Sequence, residues 1–348
     1  MDNYLWIPPT SNNSGRFDIT QLALGATPKP LHAYELTRVN IPPVTNHSFP
    51  EKEPFGGYIS AGEDAVFGAI LQQNVGDLAG KILGFMCIVD GVSKGDLIKT
   101  TLGIREILDS LKTRMIYSLA PRAYILASSN RSPELILDGV ASTVSLILQQ
   151  TQREWIASKR HTRSFAAISI AVIYEYMNKM YFTVADAGNC RFFVSYSNEN
   201  NQYVLGQVSK THEGPSKGGI TSGLSSQDDL IPHISTSTIC LTDMTMGRSG
   251  TIFAFGITDF MDACQKWEKA SKMTVYTQEA FLTETIRYIM SNPKQFPNPL
   301  QTLTRASIQR LRKYNEELIA LGKIHENDRL LLQGLEDGSF VGMSIRHK

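Results

Sequence analysis

Ile82-Leu83-Gly84-Phe85-Met86-Cys87-Ile88-Val89-Asp90-Gly91 is an unbroken apolar run that ends on an acid and a glycine. A run this short, closed by a turn pair, reads as a strand covered on both faces. A carboxylate at the mouth of such a strand has little freedom to move, so Asp90 is aimed as well as placed. Upstream, the glycine-rich stretch Phe55–Ser60 is strand-like and leads to a second acidic site, Glu63-Asp64. Asp-Gly after a strand is most often only a turn, because both residues suit turn geometry. Taken alone, neither site distinguishes a turn from a ligand.

Downstream the period switches to that of helices. Ile104, Leu108, Leu111, Met115 and Leu119 recur at spacings of three and four, the stripe of an amphipathic helix. Leu137, Val140, Val144 and Ile147 repeat it, with Ser132-Pro133-Glu134 supplying a cap and a first-turn proline. Ser164–Tyr176 is β-branched and aromatic. The polar tip Met177-Asn178-Lys179 turns it back into Tyr181–Ala185, and a second hairpin is expected from Cys190–Tyr196 and Tyr203–Val208. Further strands are expected at 234–241, 251–255, 330–333 and 340–345, with helices at about 260–271, 277–291 and 299–321. Short antiparallel strands with helix pairs between them predict an α+β chain, two antiparallel sheets packed face to face and flanked by helices.

Residues 1–50 are rich in Pro, Asn, Ser and Thr and are read as an extended lead-in with room for one strand; 51–348 form the domain. Within it the helical segment 260–322 either packs on a sheet or caps the site. The chain of 348 residues is 42% hydrophobic and 19% charged with a formal net charge of +1, a globular balance without the bulk charge that nucleic acid or an anionic membrane would call for. The N-terminus carries an acid where a secretory leader carries bases. The longest apolar run, 165–174, is far short of the roughly 20 residues needed to insert across a bilayer. Cys87, Cys190, Cys240 and Cys264 are widely spaced and form no C-x-x-C pair, as expected of reduced thiols in a cytoplasmic setting. Action in a host cytosol after secretion by a route without a cleavable leader stays open.

Two more acids fall at expected strand ends: Asp259 after 251–255, and Asn327-Asp328 before 330–333. Four such sites, far apart in sequence, suit a hard-cation site built across a sheet, because Mg2+ and Mn2+ prefer oxygen ligands.

In their order, these residues resemble the metal-dependent type 2C protein phosphatases. Glu63-Asp64 followed by Phe85–Gly91 is similar to that family's acidic pair and its strand ending in Asp-Gly. Val184–Arg191 resembles its Ala-Asn-Val-Gly-Asp-Ser-Arg hairpin, and Ser209–Pro215 its Asp-His-x-Pro segment. Residues 251–262 resemble the strand leading to Ser-Asp-Gly-x-x-Asp, and 327–331 the terminal Asp-Asp/Asn-x-Thr strand. The resemblance runs over about 55–345 and implies two Mn2+ or Mg2+ ions and a metal-activated water that attacks a phosphoester, with a modified protein as substrate. It implies Asp64 and Asp90 as ligands, Asp90 bridging both ions and the Gly91 carbonyl assisting, with Asp259 and Asp328 completing the site.

Several positions depart from the pattern. The family's Asp-Gly-His-Gly-Gly reads Asp90-Gly91-Val92-Ser93-Lys94-Gly95, so the histidine that would serve as general acid is missing. The basic residue expected in 55–62 is missing too, leaving Lys94 to meet phosphate and His212 to donate a proton. Asp259 fits either of two registers, Asn327 competes with Asp328, and Asn189 stands at the hairpin acid with Asp186 three residues earlier. Three functions follow: a serine/threonine phosphatase, a phosphodiesterase that removes AMP or phosphocholine from protein, and a pseudophosphatase that only binds.

Overall fold

The computed structural model describes residues 3–7, 17–29, 32, 37–39, 44–46, 55–71, 80–92, 96–115, 132–158, 165–210, 223–225, 233–245, 250–258, 278–320 and 337–347. The apolar run 82–91 lies within β6 (Gly80–Val92), an inner strand of an eight-stranded antiparallel sheet. Its neighbours are β5 (Asp64–Ile70) and β7 (Phe165–Tyr176). Outward from β5 come β4 (Phe55–Ala61) and β3 (Val44–Asn46); outward from β7 come β8 (Lys179–Ala187) and β12 (Ser235–Cys240), while the short β11 (Leu224–Ser225) also pairs with β7. Between Lys81 and Asp90, β6 is apolar because both its faces are covered: Met86 and Ile88 face the second sheet, Phe85, Cys87 and Val89 the helices.

The second sheet has six strands in the order β1 (Asn3–Ile7), β2 (Phe17–Thr27), β14 (Gly338–His347), β13 (Gly250–Ile257), β9 (Arg191–Ser197) and β10 (Tyr203–Gln207). β1, β2 and β3 lie in the stretch expected as an extended lead-in. β2 is in fact an inner strand, paired with β14 along ten of its positions. Its alternation, Phe17-Asp18-Ile19-Thr20, breaks at Gln21 beside the bulge in its pairing with β14, which leaves only a four-residue signal.

Leu22, Leu24, Val194, Ala254, Val341 and Met343 from the six-stranded sheet meet Val66, Ile88, Ala171, Phe182 and Val184 from the eight-stranded one. Phe182 and Phe192 make an edge-to-face contact across this layer, with centroids 5.9 Å apart. Two helices, α1 (Leu97–Arg114) and α2 (Pro133–Ser158), cover the outer face of the eight-stranded sheet through Ile104, Leu108, Val140, Val144 and Trp155. The four-residue α3 (Leu241–Met244) follows β12. On the outer face of the six-stranded sheet lie α4 (Gln278–Ser291) and α5 (Pro299–Ala320), which bury Leu282, Ile286, Leu303 and Leu311 against Phe253, Phe255 and Phe340. The layering is helix, sheet, sheet, helix, as the alternation of periods predicts. No helix among the described residues is long and apolar enough to cross a membrane.

The β7–β8 hairpin turns at Met177 and Asn178, both with positive φ (49° and 59°), the twist that suits a two-residue hairpin. Phe182 is fully buried between the sheets. Phe182→Ala is expected to cost about 3–5 kcal/mol by opening a cavity between them, read as a shifted urea midpoint at unchanged slope.

Candidate functional site

The site begins at a two-residue turn. Ala61 pairs with Asp64, so Gly62 and Glu63 alone join β4 to β5, and Gly62 has a φ of +66°. A Cβ there would also lie 2.6 Å from an Asp337 carboxylate oxygen. Only glycine meets both conditions.

Across the next ladder Asp64 pairs directly with Asp90. The Gly91 amide donates to the Glu63 carbonyl at 3.0 Å, and that oxygen would lie 2.7 Å from any Cβ on Gly91. The two acidic motifs are therefore locked together by backbone. From outside, α1 braces the turn: Thr101 Oγ1 donates to the Gly62 carbonyl at 3.0 Å. Asp96 caps the same helix by accepting from the Lys99 amide at 3.0 Å.

Alternation fixes the direction of these acids. Asp64 has the parity of Val66, and Asp90 that of Met86 and Ile88, all of which face the six-stranded sheet. Asp186, in step with Phe182 and Val184 on β8, faces the same layer. Asp64 and Asp186 are buried and Asp90 is half-buried. Burial raises the Asp186 pKa to about 7, although its carboxylate accepts a hydrogen bond from the Lys210 amide at 3.1 Å.

The six-stranded sheet brings its own groups to this end. Asp337 stands just before β14, beside the end of β13, where the Thr258 amide donates to the Ser339 carbonyl at 3.2 Å and the Ser339 amide donates to Thr258 Oγ1 at 3.0 Å. Asp337 accepts from the Glu63 amide at 3.1 Å and from the Lys29 amide, and its Oδ2 lies 2.8 Å from His32 Nδ1. Glu63 Oε2 is 3.6 Å from His32 Nδ1 and 3.7 Å from Lys29 Nζ. Burial by itself would push the Asp337 pKa up, but His32 and Lys29 alongside hold it below the ordinary carboxylate value. Among the described residues His32, Glu63 and Asp337, all buried, form a group that could hold a metal ion.

Of the residues singled out from sequence, the fold brings Asp64, Asp90 and Gly91 together. Lys94, His212, Asp259 and Asp328 lie outside the described residues. The acid that stands at the mouth of β14 is Asp337, which the sequence reading passed over. An acid just before the expected strand 340–345 was a signal of the same kind as Asp328. For Lys29 and His32 no signal existed, since their roles come from the path of the chain after β2.

No family model matches the chain, and no curated relative matches it by sequence. By structure it superposes on the serine-threonine phosphatase 2C of Toxoplasma gondii, covering 100% of this chain and 99% of that one at 10% identity with a TM-score of 0.53. The chain has the type 2C phosphatase fold. Two mycobacterial structures also align: the serine/threonine phosphatase PstP/Ppp of Mycobacterium tuberculosis (10% identity, 87% and 96% covered, TM-score 0.44) and the PPM Ser-Thr phosphatase MsPP of Mycobacterium smegmatis (12% identity, 86% and 96% covered, TM-score 0.43). Within the type 2C fold of this chain the acids gather at one end of the layer between the sheets.

The Asp186 shift predicts a pH dependence for the metal-free protein. Its pKa is higher folded than unfolded, so its contribution is intact below about pH 4 and is lost as pH rises toward 7. Asp186→Asn, which keeps an acceptor for the Lys210 amide, is expected to gain about 1–2 kcal/mol over the native protein at pH 8 and nothing at pH 4. Urea melts at the two pH values check it.

Proposed function

We propose that the chain is a metal-dependent phosphoester hydrolase, and that its substrate is a phosphorylated serine or threonine of another protein. The observation that carries this reading is the pairing of Asp64 with Asp90 on adjacent inner strands, both facing the layer between the sheets. Carboxylates side by side repel one another, and burial of the kind that raises the Asp186 pKa adds to the cost of holding charge here. Oxygen donors on rigid strand ends in such a place suit Mg2+ or Mn2+.

Asp64 and Asp90 would hold the ions, with the Gly91 carbonyl fixed beside them by its amide's bond to Glu63. Two such ions would supply a water activated for attack on phosphorus and positive charge against the phosphoryl oxygens. The chain's own part is positioning. The Gly62–Glu63 turn, braced by Thr101 and Asp337, keeps the Asp64–Asp90 register from slipping, and a misplacement of 1 Å can cost about 100-fold in rate. Val92, at the position of the family's histidine, can neither give nor take a proton, so protonation of the leaving oxygen falls to His212 and contact with phosphate to Lys94.

Manganese titration with turnover of p-nitrophenyl phosphate beside bis-p-nitrophenyl phosphate tests the reading. Metal-dependent turnover of the monoester is expected. Preference for the diester would move the assignment to phosphodiesterase, and metal binding without turnover of either would leave a binding protein. Asp90→Ala is expected to lower turnover at least about 100-fold while leaving the melting temperature within a few degrees. Turnover that survives this substitution would refute the ligand assignment.

A further inference from the structure

At the end of the sandwich away from the acids, the turn between β9 and β10 and the short α3 leave a cavity between them. We propose that this cavity binds a small organic cation, an aromatic ring on a short stem that ends in an ammonium head. The inference makes no use of Asp64 or Asp90 and stands whether or not the chain hydrolyses phosphoesters.

The ladders fix where the cavity lies. β8 runs from Lys179 to Ala187, with Asp186 at its acidic end, and Cys240 of β12 pairs with Tyr181 near the other end. α3 leaves directly from Cys240. β9 starts at Arg191 opposite Ile257, on the side of the acids, and reaches its turn after Ser197. The seven steps along β8 from Lys179 to Asp186 separate the two ends by about 23 Å.

The lining sets the chemistry of the occupant. The cavity holds about 300 Å3, the lower end of the range for small-molecule sites. Tyr196 and Met244 line it, and both pack against the core between the sheets while staying half-buried. A ring seated against them removes apolar surface from water that the fold leaves exposed, and both a phenol ring and a thioether favour aromatic contact. Ser197, Asn198 and Thr245 bring oxygen acceptors. Among the described lining residues Glu199 is the acid and no lysine or arginine occurs, so the local charge favours a cation and disfavours an anion.

Both walls are built before a ligand arrives. Asn198 Oδ1 accepts from the Asn200 and Gln202 amides at 3.0 and 2.9 Å, and the Asn198 amide donates to the Gln202 carbonyl at 2.9 Å. Opposite, the Met180 amide donates to Thr242 Oγ1 at 2.8 Å and Lys179 Nζ lies 2.9 Å from Asp243 Oδ1, which ties α3 to the β7–β8 hairpin. Thr245 Oγ1 donates to the Thr242 carbonyl at 3.1 Å and closes that wall. Walls already ordered spare the ligand much of the entropy cost of binding.

The test titrates the full chain with phenethylammonium, phenethyl alcohol and 3-phenylpropionate, read by amide NMR shifts. Saturable binding of the ammonium is expected, with shifts at 196–200 and 241–245, weaker binding of the alcohol and none of the carboxylate. Glu199→Gln should weaken the ammonium about threefold and leave the alcohol unchanged. Tyr196→Ala should weaken both at least about 10-fold. Asp90→Ala should change neither. No saturable shift at these amides, equal affinity for the carboxylate, or loss of binding in Asp90→Ala, which would place the amine at the acidic end, would overturn the proposal. Should Tyr196→Ala fail to fold, Glu199→Gln at its exposed turn position decides alone, and an unchanged ammonium affinity there would overturn it.

Discussion

The β5–β6 register is the constraint on which the rest depends. Because side chains alternate, moving the pairing by one residue would turn Asp64 or Asp90 from the layer between the sheets to the helix side and put an apolar residue in its place. The two-residue turn at Gly62–Glu63 fixes how β5 sets out from β4, and at that same end the bond from the Gly91 amide to the Glu63 carbonyl pins β6 against β5. A large apolar core behind these strands supplies the stability against which buried acids can be held. The acids are costly where they stand, and that cost has a use if a cation is to be bound.

Charge balance divides the acidic end into two halves. Glu63 at the β4–β5 turn and Asp337 at the mouth of β14 have Lys29 and His32 within 4 Å. On the side of the eight-stranded sheet, Asp186 faces the same layer as Asp64 and Asp90, and burial raises its pKa to about 7. The first half carries cations of its own, supplied by the chain after β2.

Much of the architecture could be read from the chain because strands covered on both faces leave continuous apolar runs, as in 82–89 and 165–174, while α1, α2, α4 and α5 leave spaced stripes. The β7–β8 tip at Met177-Asn178 was legible for the same local reason. β1 and β2 were not, because β1 is a four-residue apolar run cut off by Pro8-Pro9, and the alternation of β2 breaks at Gln21, where its register with β14 shifts. At the site, Asp64, Asp90 and Gly91 were legible because each follows or precedes a strong strand signal. Asp337 carried the same kind of signal, an acid just before an apolar strand, and was passed over. Lys29 and His32 sit in a proline-containing stretch without periodicity, and only the route of the chain across the end of the sheets gives them partners.

A crystal grown without metal and then soaked in Mn2+, with anomalous scattering used to place the ions, tests the central claim most directly. The account predicts manganese between the two sheets, bound by the Asp64 and Asp90 carboxylates. Ordered side chains there with no manganese between them, or manganese only at the surface, would contradict it.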